Sequence, residues 1–120
     1  TKRQTQTTLK AKGLPWERAK AFDGAAVFSD FVNTPKVLQN LRLELEINGQ
    51  LRQKGGVNLM LNKPLELVAE IQAFMSFEDG DILMTGTPSG VGIVSKGDVF
   101  VGRIFDADSL LVQQQWRVED

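Results

Sequence analysis

The sequence predicts an α+β fold that is mainly β. Apolar and charged residues alternate through residues 41–47, and short apolar runs beside turns follow at 99–101 and 110–112. Two helical segments supply the α part. No repeat, linker or low-complexity tract divides the 120 residues, so composition and length predict one compact domain with a real core.

The first segment predicts a helix over residues 2–12. Thr1 is placed to cap its N-terminus and Gly13 to end it, because glycine readily takes the left-handed conformation found after many helices. Pro15 then redirects the chain. Residues 17–22 fit either a helix or a loop.

Residues 41–47 have the period of a half-buried strand. Asn48 and Gly49 follow, and this pair is the strongest short signal for a β-hairpin. Residues 51–54 form the predicted returning strand, which we expect to end at the glycine pair 55–56.

The second half predicts a helix, a buried strand and a closing hairpin. Asn62 is the expected cap of the helix and Pro64 lies in its first turn. Its expected core-facing stripe comprises Leu67, Val68, Ile71, Phe74 and Met75. Residues 82–85 are expected to form a short buried strand, and strands at 99–101 and 110–112 flank a turn at 106–109.

The composition excludes several kinds of chemistry. The chain has no cysteine, histidine or tyrosine, so it offers no disulfide, thiolate, imidazole base or zinc ribbon. Any metal would be a hard, oxygen-liganded ion. The 14 basic and 15 acidic side chains leave a net charge of −1, which predicts no nucleic-acid surface.

The sequence also predicts no membrane association. No apolar run approaches the roughly 20 residues that span a bilayer, and no apolar stretch follows the basic N-terminus as in a secretory signal. We therefore expect a cytoplasmic protein, which the absence of cysteine fits.

The glycine-rich segment 86–92 is the most conspicuous motif. It is not a P-loop, because no Gly-Lys-Ser/Thr closes it, and two residues separate Gly86 from Ser89, unlike the nucleophile elbow of hydrolases. Spacing leaves two interpretations open. The segment is a tight turn that needs positive φ, or its N–H groups and the Thr85 hydroxyl approach a small anion.

Acidic pairs give weak signals. Glu44 and Glu46 share one strand face with Arg42, which favours a solvated polar stripe over a metal site. The acidic residues at 78–81 lack the spacing of a calcium loop and predict a turn.

Three further polar residues are candidates. Lys20 lies among small and apolar neighbours and would act as a fixed positive charge if partly buried. Arg3 and Gln6 share a helix face and could hold a carboxylate. The alternative for all three is ordinary solvation.

Three motifs in this order make the chain resemble the fumarylacetoacetate hydrolase family. They are residues 12–23 (KGLPWERAKAFD), residues 47–53 (INGQLRQ) and residues 80–92 (GDILMTGTPSGVG) with KGD at 96–98. The first motif looks most like the acylpyruvate hydrolase and oxaloacetate decarboxylase branch.

The resemblance implies a mixed β-roll that is incomplete here, with residues 1–120 as the C-terminal part of a single catalytic domain. It implies a homodimer and a Mg²⁺ or Mn²⁺ ion held by three carboxylates, which we expect upstream of Thr1, so no metal ligand falls in this chain. Glu44 and Glu46 are in the wrong context to be the family's Glu-x-Glu pair.

The resemblance also assigns roles. Lys20 matches the active-site lysine near the metal. Arg3 and Gln6 match an Arg-x-x-Gln that faces the substrate, and Thr85 and Gly86 match the Thr-Gly that contacts the keto-acid end.

The implied activity is metal-dependent C–C cleavage in a small 2-keto acid through an enolate, as acylpyruvate or fumarylpyruvate hydrolysis or as oxaloacetate decarboxylation. The alternatives are an isomerase or decarboxylase of aromatic catabolism in the same family, or a non-catalytic binding module if the polypeptide truly starts at Thr1.

Overall fold

The computed structural model describes residues 1–119 and has one four-stranded antiparallel sheet with three α-helices around it. The helices are α1 (Arg3–Ala11), α2 (Glu17–Lys20) and α3 (Pro64–Gln72). The strands are β1 (Leu41–Ile47), β2 (Gln50–Gly56), β3 (Val99–Asp106) and β4 (Ser109–Arg117), in the order β2-β1-β3-β4. The α+β, mainly β class is therefore confirmed.

Two hairpins build the sheet. Asn48 and Gly49 turn β1 into β2 with φ of 54° and 75°, as the Asn-Gly pair predicts. Ala107, with φ of 50°, lies in the turn between β3 and β4. Both closing strands are longer than expected, because pairing continues from Val99–Arg117 to Asp106–Ser109.

Gly55 and Gly56 end the returning strand as predicted, and both belong to it, since Gly56 is the last residue of β2. They pair with Leu43 and Arg42 inside β2. A Cβ on Gly55 would lie 3.0 Å from the Pro88 Cβ, and one on Gly56 would lie 3.1 Å from the Leu41 oxygen. Glycine is therefore used here for close approach rather than for a turn.

The helix caps differ from the prediction. Lys2, not Thr1, is the N-cap of α1, and the Thr1 hydroxyl instead accepts a hydrogen bond from Lys20. Lys63, not Asn62, is the N-cap of α3, and its N–H donates to the Glu66 carboxylate at 2.8 Å. Gly13 follows α1 with φ of 61°, as expected.

Two apolar predictions are also wrong. Phe74 and Met75 are 76% and 56% exposed, because α3 ends at Gln72 before the helical stripe reaches them. Residues 82–85 form no strand, since none of the described strands lies beside them to complete a ladder. Met84 in this segment is 73% exposed.

The expected core is small in the described chain. Ala19 and Val57 are the buried apolar side chains among residues 1–119, and the apolar side chains of the strands are half-buried or exposed. Within the same residues, no helix is both long and apolar enough to cross a membrane.

Candidate functional site

The N-terminus of α1 meets the C-terminus of α2. The Lys2 N–H donates to the Ala19 carbonyl at 3.0 Å, and Ala19 is fully buried at this contact. Lys20 is exposed rather than partly buried, and its ammonium donates to the Thr1 hydroxyl at 2.9 Å. One backbone hydrogen bond and one side-chain hydrogen bond thus join the two helices, and they hold Lys20 against the start of α1.

Arg3 and Gln6 pair as their spacing on a helix predicts. The Arg3 Nη1 donates to the Gln6 Oε1 at 2.6 Å. The Arg3 Nε is buried and has no hydrogen-bond partner in the structure. A buried guanidinium N–H without an acceptor is costly, so this atom is a donor available to an anion.

Positive charge accumulates at this corner. Within residues 1–119, neither Arg3 nor Lys20 forms an ion pair with a carboxylate. We call Lys2, Arg3 and Lys20 the cation cluster. The Lys2 Nζ lies 4.7 Å from the centre of the Phe22 ring.

Thr85 and Gly86 lie in a different cavity. This sheet cavity has a volume of about 630 Å³ and lies between the β1–β2 hairpin, α3 and residues 83–88. Thr85 and Gly86 are both exposed to solvent, and Gly86 has φ of 98°. The lining of the sheet cavity is otherwise mostly apolar, so Thr85 and Gly86 belong to the polar part of that lining.

A second, open cavity lies beside the cation cluster. This helix cavity has a volume of about 1010 Å³ and is lined by the start of α1, by parts of β1 and β2 and by residues 90–94. Arg3 lines it, whereas Thr85 and Gly86 do not. The glycine-rich loop therefore runs from one cavity to the other.

The structure thus brings some predicted site residues together and separates others. Arg3, Gln6 and Lys20 meet at the α1–α2 corner. Thr85 and Gly86 are at the opposite end of the glycine-rich loop, in the sheet cavity. The positive φ expected of the loop glycines is found at Gly86 and Gly90 but not at Gly92.

The acidic side chains of the described residues do not fit a metal ion. Glu44 accepts from Arg42 at 2.7 Å and Glu46 from Arg103 at 2.8 Å, and the hydrogen bond that Arg103 donates to Glu46 raises the pKa of Arg103. No group of three or more acidic side chains is close enough to bind one ion in the part of the chain that the structure describes. The residues at 78–81 form a turn, closed by the Glu78 N–H on the Asp81 carboxylate at 2.9 Å.

Sequence reasoning assigned no role to Gln53. Its side chain is 9% exposed and donates to the glycine-rich loop at Thr87 and Pro88. The sequence feature that could have indicated a role for Gln53 is its position: it is an amide on the returning strand of a hairpin, two residues before the glycine pair.

Comparison with known proteins identifies a family and its members. The model of the family "Fumarylacetoacetate (FAA) hydrolase C-terminal" matches residues 1–115. An oxaloacetate decarboxylase of Dictyostelium discoideum is 41% identical over 82% of this chain and 46% of its own length. The oxaloacetate tautomerase YcgM of Escherichia coli K12 is 39% identical over 92% of this chain and 51% of its own length. The chain thus spans about half the length of these relatives.

Solved structures agree with the sequence comparison. A fumarylacetoacetate hydrolase family protein from yeast superposes with a TM-score of 0.88 at 37% identity, covering 98% of this chain and 52% of that one. A 5-carboxymethyl-2-hydroxymuconate delta-isomerase from Mycobacterium smegmatis gives 0.81 at 28% identity, covering 94% and 43%. The shared fold therefore carries differently named activities.

Proposed function

Because the chain belongs to the fumarylacetoacetate hydrolase family, we propose that it supplies the anion-binding part of an enzyme that converts a small 2-keto acid through its enolate. Oxaloacetate is the first candidate substrate, since the relatives above are named for its decarboxylation and tautomerisation. The observation that carries the proposal is the cation cluster, where within residues 1–119 Arg3 and Lys20 have no carboxylate partner and the Arg3 Nε has no acceptor.

Arg3 binds a substrate carboxylate in this proposal. Gln6 accepts from Nη1 and so holds the guanidinium plane, which leaves Nε and Nη2 to donate in parallel to two carboxylate oxygens. The burial of Nε strengthens such a bond, because a charged hydrogen bond is worth more away from water.

Lys20 stabilises the negative charge that develops on the keto oxygen. In tautomerisation a base from the solvent or from the rest of the protein takes a proton from the carbon next to the keto group, the electron pair moves to that oxygen, and protonation of the oxygen then gives the enol. In decarboxylation the electrons of the broken C–C bond move to the same oxygen and carbon dioxide leaves. A fixed ammonium lowers the energy of either enolate without reorganising during the reaction.

Thr85 and Gly86 orient the substrate from the other end of the loop. A hydroxyl and an accessible backbone N–H are suited to one carboxylate or keto oxygen. Oxaloacetate carries a carboxylate at each end, so the two groups of residues can divide its recognition in the whole protein. Acylpyruvate hydrolysis uses the same sink: water attacks the distal carbonyl and pyruvate enolate leaves.

Metal dependence and assembly are further proposals for the whole protein. We propose that it uses Mg²⁺ or Mn²⁺, forms a homodimer and acts in the cytoplasm, with neither nucleic acid nor membrane as partner. The acidic residues described here offer no such ion site, so the ligands would lie outside this chain. Chelation by EDTA should abolish activity and either ion should restore it; unchanged turnover after EDTA treatment would contradict the metal proposal.

The first experiment assays the whole protein with oxaloacetate. Loss of the enol absorbance measures tautomerisation, pyruvate formation measures decarboxylation, and acylpyruvates test the hydrolase alternative. We expect turnover of at least one. Thr85→Val should raise KM about tenfold, the scale of one charged hydrogen bond, and change kcat less. An unchanged KM would place Thr85 outside the site.

The alternative is a non-catalytic module that binds keto acids. The absence, within residues 1–119, of a group of three or more acidic side chains that could hold a metal ion favours it. Calorimetry with oxalate, an unreactive dicarboxylate, distinguishes the two: binding by a whole protein that turns over none of the substrates supports the module.

A further inference from the structure

We infer that Gln53 is a positioning residue that fixes the glycine-rich loop on β2 and thereby holds Thr85 and Gly86 in place. The inference rests on the proposed function, because it concerns the loop that contacts the keto acid. Gln53 is the buried polar side chain of residues 1–119, at 9% exposure, and it lies in the middle of β2. A buried amide is costly unless it is hydrogen-bonded, so its partners indicate its role.

Those partners are consecutive residues of the loop. The Gln53 Nε2 donates to the Thr87 hydroxyl at 2.9 Å and to the Pro88 carbonyl at 2.8 Å, with the Ser89 carbonyl at 3.5 Å. The loop has no strand ladder of its own in this region. One side chain thus supplies donors that a neighbouring strand would otherwise supply.

Close packing against β2 holds the glycine-rich loop on both sides of the Gln53 amide. A Cβ on Gly90 would lie 2.0 Å from the Arg52 carbonyl oxygen, so the loop backbone touches β2 there, and Gly90 has φ of 105°. On the other side, Pro88 lies against Gly55 at 3.0 Å from the position of a Cβ. The approach at Gly90 requires glycine, whereas a Cβ at Gly55 would require Pro88 to shift.

A β-bulge prepares β2 for this contact. Leu45 pairs with Gln53 and Glu46 with Leu51, so Arg52 is the extra residue on the bulged strand. A bulge bends its strand and re-aims the neighbouring groups. The Arg52 carbonyl and the Gln53 side chain both meet the loop at this point.

The consequence for the site follows from chain distance. Thr85 is two residues before Thr87, and the segment between them has no other strand or helix to hold it. Residues 83–88 line the sheet cavity while residues 90–94 line the helix cavity, so Gln53 anchors the loop between the two. Loosening this anchor lets the Thr85 hydroxyl and the Gly86 N–H leave their bound geometry.

The test compares three variants of the whole protein. Gln53→Met keeps the size and removes the donors, Gln53→Glu keeps the shape but donates only when protonated, and Gln72→Met is the matched control on the exposed end of α3. For Gln53→Met we expect KM for the keto acid to rise about tenfold, the scale of one charged hydrogen bond, with a smaller change in kcat. Gln72→Met should match the wild type.

The pH dependence separates positioning from mere stability. For Gln53→Glu, the ratio of mutant to wild-type KM should fall as the pH is lowered, because the protonated carboxyl regains a donor toward Pro88 or Thr87. Thr87→Val should add little to KM in the Gln53→Met background, since the bond is already lost. A KM ratio that does not change with pH, or full additivity with Thr87→Val, would overturn the inference.

Hydrogen exchange makes this test independent of the proposed function. We expect faster exchange of the amides at 86–92 in Gln53→Met than in Gln72→Met, with β3 and β4 unchanged. If the whole protein turns over no keto acid, the proposed function is wrong while this comparison still applies to Gln53. Equal exchange of the loop in both variants would show that Gln53 does not hold it.

Discussion

The polar face of the sheet and the cation cluster both carry arginines, but within residues 1–119 Arg42 and Arg103 on the sheet have a carboxylate partner, whereas Arg3 in the cation cluster has none. On the sheet, Arg42 pairs with Glu44 and Arg103 with Glu46, at 2.7 and 2.8 Å. In the cation cluster, Arg3 meets the neutral amide of Gln6 instead. Charges that are balanced within the fold support the sheet, whereas unbalanced charges are available to an anion from outside.

Arg42 and Arg3 also differ in the hydrogen bonds and ring contacts that their guanidinium groups make. Arg42 lies 3.8 Å from the centre of the Phe105 ring and donates to the Ala107 carbonyl at 3.0 Å. Arg3 has a buried Nε with no acceptor. Within residues 1–119, the Arg42 guanidinium therefore has partners in its own chain, whereas the Arg3 Nε has no acceptor.

The largest effect is expected at Lys20. Lys20→Ala in the whole protein should lower kcat about 100-fold or more, the scale of losing one electrostatic stabiliser. Lys10→Ala, on the exposed last turn of α1, is the control and should leave kcat unchanged. Steady-state kinetics with oxaloacetate measures both, and near-wild-type kcat in Lys20→Ala would remove Lys20 from the site.

A smaller effect is expected from replacing the Arg3 guanidinium by an ammonium group. Arg3→Lys keeps the charge but loses the fork of parallel donors, so KM should rise about tenfold, one charged hydrogen bond. Arg18→Lys, at an exposed residue of α2, is its control. Equal KM values for the two variants would mean that Arg3 acts only as a diffuse charge.

At the edge of the sheet we expect a pH-dependent loss of stability. The Ser95 N–H and the Asn48 amide hold the pKa of Asp98 below its usual 3.8, so the ionised carboxyl stabilises the fold above that pH. This contribution disappears as the pH falls through the lowered pKa. Asp98→Asn should therefore reduce the melting temperature at pH 7 but not at pH 2; an equal reduction at both would contradict the assignment.

The smallest effect is expected on the balanced face. Glu46→Gln should cost about 0–1 kcal/mol of unfolding free energy, as for other solvent-accessible ion pairs, and leave KM unchanged. Urea unfolding at low and high salt measures this, with the wild type as reference. A large rise in KM would mean that the sheet face also takes part in substrate binding.

Local patterns predicted the elements whose contacts are close in sequence. The alternation at 41–47 and the Asn48–Gly49 turn specify the first hairpin, and pairing along β3 and β4 follows from their short turn. The pair formed by Arg3 and Gln6 also follows from helical spacing alone. The predicted cap at Thr1 was wrong because its hydroxyl accepts from Lys20, and the one at Asn62 was wrong because Lys63 is the N-cap of α3.

Contacts distant in sequence were not predictable in this way. The amide of Gln53 and the hydroxyl of Thr87 are 34 residues apart, and nothing in either local pattern encodes their meeting. The strand expected at 82–85 was wrong for the same reason, because a strand needs a partner and periodicity does not provide one.

The sequence by itself determined the hairpins, the chemistry available without histidine or cysteine, and the family motifs that mark Lys20 and Thr85. Only the tertiary structure decided that Lys20 meets the start of α1, that Thr85 lies in a separate cavity, and that Gln53 anchors the loop between the two cavities. The physical reason is range: backbone periodicity and turn preference act over a few residues, whereas a site forms where packing brings distant residues together.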